Sequence, residues 1–355
     1  MENKKKIFLP LIGQYHNIGD IILRRPLASW LRPAGELHIF VGKAEQDYID
    51  GLGLLPEDKI YTSFSTFYRA ALKAALKGQA HYVFKPGEIQ LTVVGMKEHI
   101  AVLPLVMLVR AFGGSVARIG AGARNFLPLP RALMYPSNAL SQLVYWRDGV
   151  TADYLQKGTV MPDLAFWEGA YAKQGSDDGQ IRDTVVVSMR GDRPMLGSAW
   201  LEGITAFAKQ NAYRIEVVTQ VLGDEGRARE LAAAMGGVAV DWDGNAHGPQ
   251  EQLLRAIYAR SVLAVSDRLH VLIAAYTEGV VPVAPETTPS GKVGRHFAVL
   301  DLESVAAALP NPTAARVCEV LEASVNRRQQ TLAALPKARE ALDGVRRDLL
   351  RLINR

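Results

Sequence analysis

Ser266-Asp267-Arg268-Leu269-His270 puts a carboxylate, a guanidinium and a titratable imidazole within five residues. It follows the apolar run Ser261-Val262-Leu263-Ala264-Val265 and precedes Val271-Leu272-Ile273-Ala274-Ala275-Tyr276, which reads as a buried helix ending before Gly279. Val280-Val281-Pro282-Val283 reads as the next short strand. The pattern is strand, turn, helix, strand, with Arg268 and His270 where the first strand gives way to the helix. In open α/β sheets ligands lie just outside the carboxyl ends of the strands, and helix-start N–H groups favour anions there. An arginine and a histidine at that point suit an anionic substrate and a proton transfer. The structural alternative is an ion pair between Asp267 and Arg268 with a core histidine.

Two further arginines fall at expected strand ends, Arg190 in Val187-Ser-Met-Arg-Gly-Asp192 and Arg147 in Trp146-Arg-Asp-Gly149. Their structural alternatives are a surface arginine and a local pair with Asp148. Near the start, Gly13-Gln-Tyr-His-Asn17-Ile-Gly19-Asp20 follows the first strand, with Asp20 either at a site or capping a helix from Ile21. Gly120-Ala-Gly122-Ala-Arg-Asn125 comes close to a dinucleotide fingerprint. Asn125 replaces the third glycine, and Pro128 and Pro130 block the helix that should follow. It reads as a ligand-facing loop. No His, Cys or carboxylate cluster has metal-ligand spacing, so no metal is expected. No Gly-x-Ser-x-Gly elbow supports a hydrolase triad. The single cysteine, Cys318, reads as a small core residue.

The elements that must hold these residues alternate. Residues 7–12, 37–41, 81–84 and 116–119 read as strands, and 21–31, 67–76, 100–112 and 138–144 as helices. A second run places strands at 184–189, 213–219 and 238–242, with helices at 200–209 and 225–235. Such alternation implies βαβ units and a mainly parallel sheet. A chain of 355 residues exceeds one ordinary core. The expected division is 1–168, a linker at 169–183, 184–312 and a helical tail at 313–355, with two doubly wound halves facing a cleft. The tail's last helix packs back on the first domain or, as a minor option, lies on an anionic membrane. The net charge of +5 is scattered, without an aromatic-interleaved basic stripe, which argues against nucleic acid and suits acidic small molecules or an anionic membrane surface. The longest apolar segment, 100–109, falls short of the roughly 18 residues that span a bilayer. A cytoplasmic protein is expected, with peripheral contact at the inner membrane face as a minor option.

In order and spacing, several pieces together resemble the polysaccharide pyruvyl transferase family over nearly the whole chain. They are Asn17-Ile-Gly-Asp20, Arg147-Asp148…Thr151, Pro162-Asp163, Ser188-Met-Arg190, Val218-Thr-Gln220 and Arg268-Leu-His270…Gly279-Val-Val-Pro282. Lys292 follows Thr287-Thr-Pro-Ser-Gly where the family usually carries a lysine, while Thr151 stands where most members have serine. The resemblance implies two Rossmann-like domains arranged as in GT-B glycosyltransferases, acceptor side first and donor side second. It implies phosphoenolpyruvate as co-substrate, with no tightly bound cofactor. Its pyruvyl group would pass to two hydroxyls of a sugar in a cell-surface polysaccharide or a lipid-linked oligosaccharide, closing a ketal. Arg147, Arg268, Arg190 and Lys292 would bind the donor, and His270 would protonate its methylene. Asp20 would accept the sugar proton or orient the acceptor, and Asn17, Gly19, Gly120 and Gly122 would line the acceptor side. Two rivals stand beside this reading. One is a nucleotide-sugar glycosyltransferase holding a ribose on Glu278 or Glu286, and the other is a non-catalytic glycan-binding relative.

Overall fold

The computed structural model describes residues 5–171, 181–286 and 291–355. The chain divides into two compact units. Unit 1 holds residues 1–15, 20–164 and 340–355, and unit 2 holds 16–19 and 165–339. Of the expected linker, residues 172–180 lie outside the described residues.

Unit 1 is built on eight strands among the described residues. They are β1 (Lys6–Pro10), β2 (Glu36–Phe40), β3 (Lys59–Tyr61), β4 (Ala80–Phe84), β5 (Gly87–Gln90), β6 (Val116–Arg124), β7 (Leu143–Trp146) and β8 (Thr159–Val160). The order is β3-β2-β1-β4-β6-β7-β8 with β5 beside β6, and every pairing is parallel. A parallel sheet is covered on both faces, which is why β4 is buried along its whole length. Its helices are the last three residues of α1 (Ile18–Ile22), then α2 (Arg25–Leu31), α3 (Gln46–Gly51), α4 (Phe64–Ala75), α5 (Lys97–Ala111), α6 (Pro128–Leu140) and α7 (Gly149–Leu155). Phe8, Phe40, Phe67 and Phe84 anchor the core between the sheet and α4–α5.

Three local expectations are corrected here. The single helix at 21–31 is two, because Pro26 lacks an N–H and starts a new helical turn. The ligand-facing loop at 120–125 is instead the buried end of β6. Gly120 sits there at φ +69° where the register with β7 shifts, a bulge rather than a turn. Pro128 does not block a helix but opens α6, since a first-turn residue needs no N–H partner.

Unit 2 repeats the plan with β9 (Thr184–Ser188), β10 (Arg214–Val218), β11 (Val238–Val240), β12 (Ser261–Ser266) and β13 (Val281–Val283). The order is β11-β10-β9-β12-β13, again all parallel. Its helices are α8 (Ser198–Gln210), α9 (Glu225–Met235), α10 (His247–Ala259), α11 (Leu269–Tyr276), α12 (Lys292–Phe297), α13 (Ala314–Asn326) and α14 (Arg328–Leu332). Cys318 is buried in α13, as a small core residue should be.

The last helix, α15 (Ala334–Asn354), spends its apolar stripe in the interior. Leu342, Val345, Leu349 and Ile353 are buried. Ser115 Oγ donates to the Leu352 carbonyl at 3.0 Å and Tyr145 Oη to Asp348 at 2.8 Å. The membrane option for this helix is replaced by packing within unit 1.

Unit 1 also buries three histidines. Burial pushes His38, His81 and His99 below the ordinary imidazole range, His81 to about 4. His81 Nδ1 accepts from the Ser115 N–H at 3.2 Å, which fits a neutral ring. Between the unfolded value near 6.5 and the depressed native one, the unfolded chain binds more protons, so stability falls as pH drops through that window. Urea unfolding should weaken from about pH 6.5 to about pH 4 at His81, and His81→Gln should flatten that slope.

Candidate functional site

Strand order reverses between β9 and β12 in unit 2, and between β1 and β4 in unit 1. Carboxyl ends at such switch points are where doubly wound sheets bind ligands. In unit 2 the β9 end carries Arg190 and the β12 end carries Asp267, Arg268 and His270.

One carboxylate ties these ends together. Asp224, entering α9, takes the Arg268 guanidinium in a two-point grip, Nε on Oδ2 and Nη2 on Oδ1 at 2.7 Å. It also accepts the Gly191 N–H at 2.8 Å. Arg268 Nη1 has no hydrogen bond among the described residues, so the fork is held in plane with one nitrogen left to offer. The expected pair of Asp267 with Arg268 is thereby corrected. Asp267 instead accepts the Arg190 N–H at 2.9 Å and lies 3.6 Å from Arg193 Nη1. Burial raises the Asp267 carboxyl above the ordinary carboxylate range. The Arg190 side chain forks onto Asp192 at 2.8 and 2.5 Å, which holds that carboxyl down at about 2.

His270 sits in the first turn of α11. Arg268, the residue before that helix, adopts extended backbone, and its N–H reaches Ser266 Oγ at 3.0 Å. Residues 16–19 come to this place although about 250 positions distant in sequence. Asn17 bridges to Val221, the Ile18 N–H donates to the Gln220 carbonyl, and Asn17 Oδ1 accepts the Gly19 N–H at 2.9 Å. A β-carbon on Gly19 would stand 2.7 Å from His270 Cβ and 3.1 Å from Gln220 Nε2, so a larger residue fits only if a neighbour shifts. Asn17, Gly19, Gln220 and His270 thus form one cluster.

Lys292 lies at the start of α12, whose Val293 and Gly294 N–H groups the Glu286 carboxylate caps at 2.9 and 3.0 Å. It shares with Asp267, Arg193, Glu286 and Trp200 the wall of a cavity of about 890 Å³. Glu278 is buried and binds Arg255 at 2.6 Å. Both carboxylates that could have held a ribose are therefore engaged by the protein itself.

The other expected site residues belong to unit 1. Asp20 does not cap a helix. It lies within α1, accepts the Gln14 N–H at 2.6 Å and pairs with Arg24 at 3.2 Å. Arg147 is buried and pairs with Asp163 at 2.8 Å, not with Asp148. Asp148 caps α7 through the Thr151 N–H and takes the Thr151 hydroxyl at 2.8 Å. Gly122, buried in β6, leaves room for these groups, since a β-carbon there would be 2.7 Å from Asp148 Oδ2. No group of three or more metal-ligating side chains occurs among the described residues. Sequence reading missed Asp224, whose partner lies 44 residues away, and Arg24, which is set on Asp20 by helical i,i+4 spacing.

The sequence matches the family profile described as polysaccharide pyruvyl transferase over residues 17–284. The chain belongs to the polysaccharide pyruvyl transferase family. No curated protein sequence matches it. Solved structures show the fold. A glycosyltransferase from Rickettsia africae is similar with TM-score 0.58 at 10% identity, covering 99% of this chain and 98% of that one. UDP-GlcNAc 2-epimerase from Neisseria meningitidis, bound to UDP-GlcNAc, has TM-score 0.57 at 11% identity, covering 93% and 94%. The expected α/β, GT-B-like type with Rossmann-like units and C-terminal helices is the one found.

The packing of Gly19 on His270 makes a direct prediction. Gly19→Ala should cost about 1–3 kcal/mol in urea unfolding and should lower turnover, because a neighbour must move.

Proposed function

We propose that this chain moves the pyruvyl group of phosphoenolpyruvate onto two hydroxyls of a sugar, closing a ketal and releasing phosphate. The observation that carries the reading is the cluster in unit 2, where the amino-terminal Asn17-Ile-Gly19 seats on the β-carbon of His270 two residues from Arg268. Family membership supports it. The donor carries a phosphate and a carboxylate, and a planar arginine fork answers either group. Arg268, fixed by Asp224, and Arg190, fixed by Asp192, are assigned to those anions, with Lys292 adding a point charge. Arg147, already committed to Asp163, is assigned to fixing the start of α7.

His270 is the acid that protonates the enol methylene, histidine being the residue type that titrates closest to neutral. The resulting oxocarbenium-like carbon is attacked by one sugar hydroxyl, with Asp20 as the carboxylate that takes its proton or orients it. The second hydroxyl then forms the other C–O bond as the bond to phosphate breaks. One hydroxyl proton is balanced by the new methyl group, and the other leaves with phosphate. A lipid-linked oligosaccharide is the proposed acceptor. The engagement of Glu278 and Glu286 elsewhere weighs against a nucleotide-sugar donor.

Titration calorimetry with phosphoenolpyruvate should show saturable binding, lost in Arg268→Ala and weakened in Arg190→Ala, whose partner carboxylate is exposed. His270→Ala should keep that binding while turnover falls about 10²–10⁴-fold. Near-wild-type turnover in His270→Ala would sink the assignment. Absence of donor binding with candidate acceptors present would turn the reading to nucleotide sugars.

A further inference from the structure

Two helices of unit 1 turn an unusual surface outward. Of the exposed residues of α5 only Lys97 is charged, and none of those of α6 is. Ile100, Pro104 and Met107 face solvent on α5, Leu129 and Tyr135 on α6, and Val94 in the turn before α5. Met107 is 55% exposed and Tyr135 70%. Single exposed apolar residues are ordinary, but two adjacent helices whose outer faces carry one charge between them form an interaction surface.

The charge beside that face is predominantly positive. From Leu91 to Leu140 the chain carries Lys97, Arg110, Arg118, Arg124 and Arg131 against a single acid, Glu98. At the amino-terminal end of α5 a cavity of about 340 Å³ is lined by Lys85, Lys97, His99 and Arg118 together with Glu88 and Glu98, of which Glu98 is paired with Lys85 at 2.6 Å and Glu88 with Arg124 at 2.9 Å. Arg118 is fully buried, and its guanidinium carbon lies 3.8 Å over the Phe84 ring. Its only side-chain hydrogen bond among the described residues is a long one, 3.4 Å to Ser137 Oγ. Arg118 Nε and His99 Nδ1 are both buried without a hydrogen-bond partner there. Glu98, the carboxylate that acts on Arg118, is already paired with Lys85, so the buried guanidinium still gains from an anion that reaches its open Nε. Helix-start N–H groups of α5 favour the same charge.

We propose that the α5–α6 face of unit 1 docks on an anionic phospholipid bilayer, with a lipid phosphate seated in the cavity beside Lys97 and Arg118. The apolar side chains enter the headgroup boundary while the cations meet phosphate, the pairing by which surface-bound helices hold to membranes. This stands on unit 1 alone and does not depend on the donor chemistry.

The test is flotation of the full chain with vesicles of phosphatidylglycerol and phosphatidylcholine against vesicles of phosphatidylcholine alone. Binding is expected with the anionic vesicles and should weaken at high salt. The double variant Met107→Glu, Tyr135→Glu should lose at least tenfold of it, and Lys97→Ala several-fold, with circular dichroism unchanged. No flotation with anionic vesicles, or flotation that these variants leave intact, would overturn the proposal. So would a concentration-dependent dimer in sedimentation that the double variant dissolves, which would assign the face to a second copy.

Discussion

The carboxylate of Asp224 is the constraint on which unit 2's carboxyl edge depends. It binds Arg268 after β12 and the Gly191 N–H after β9, while its own backbone opens α9. Three strand connections thus meet on one side chain. Both charges are largely buried, so removing either leaves the other uncompensated, a loss of about 3–5 kcal/mol in comparable pairs. The geometry matters more than the net energy. A two-point grip sets the plane of the guanidinium, and a planar donor fixed in advance loses little entropy when an anion arrives.

Unit 1 uses buried charge in two different ways. Arg147 and Asp163 pair in the interior, and Arg24 is held by Asp20 and the Ile12 carbonyl at 3.0 Å. These pairs fix loops after β1 and β7. Arg118 has rings on its face rather than a carboxylate, and burial drags its ionisation down to about 9. A buried guanidinium held by rings, with no ion pair of its own, distinguishes that position from Arg24 and Arg147, each of which pairs with a carboxylate.

Much of the architecture was legible because parallel strands are apolar on both faces and amphipathic helices separate them. β9, β12 and α9 stand almost where their residues alone place them. The misreadings between Gly120 and Pro130 share one cause. Gly120, Gly122, Pro128 and Pro130 are turn-formers locally, and local preference predicts a loop. Tertiary packing overrode it: Gly120 absorbs a register shift, Gly122 clears Asp148, and the prolines fall where a helix start needs no N–H.

Sequence by itself determined the family, the residue types at the strand ends, and the pairing of Rossmann-like halves. Those follow from periodicity and from short motifs whose chemistry is carried by adjacent residues. Only the tertiary structure decided which charge answers which. Asp267 and Asp148 stand next to Arg268 and Arg147 in the chain, yet the arginines pair with Asp224 and Asp163. Neighbours on an extended strand end point to opposite sides, whereas residues far apart in sequence can be folded to within hydrogen-bond reach.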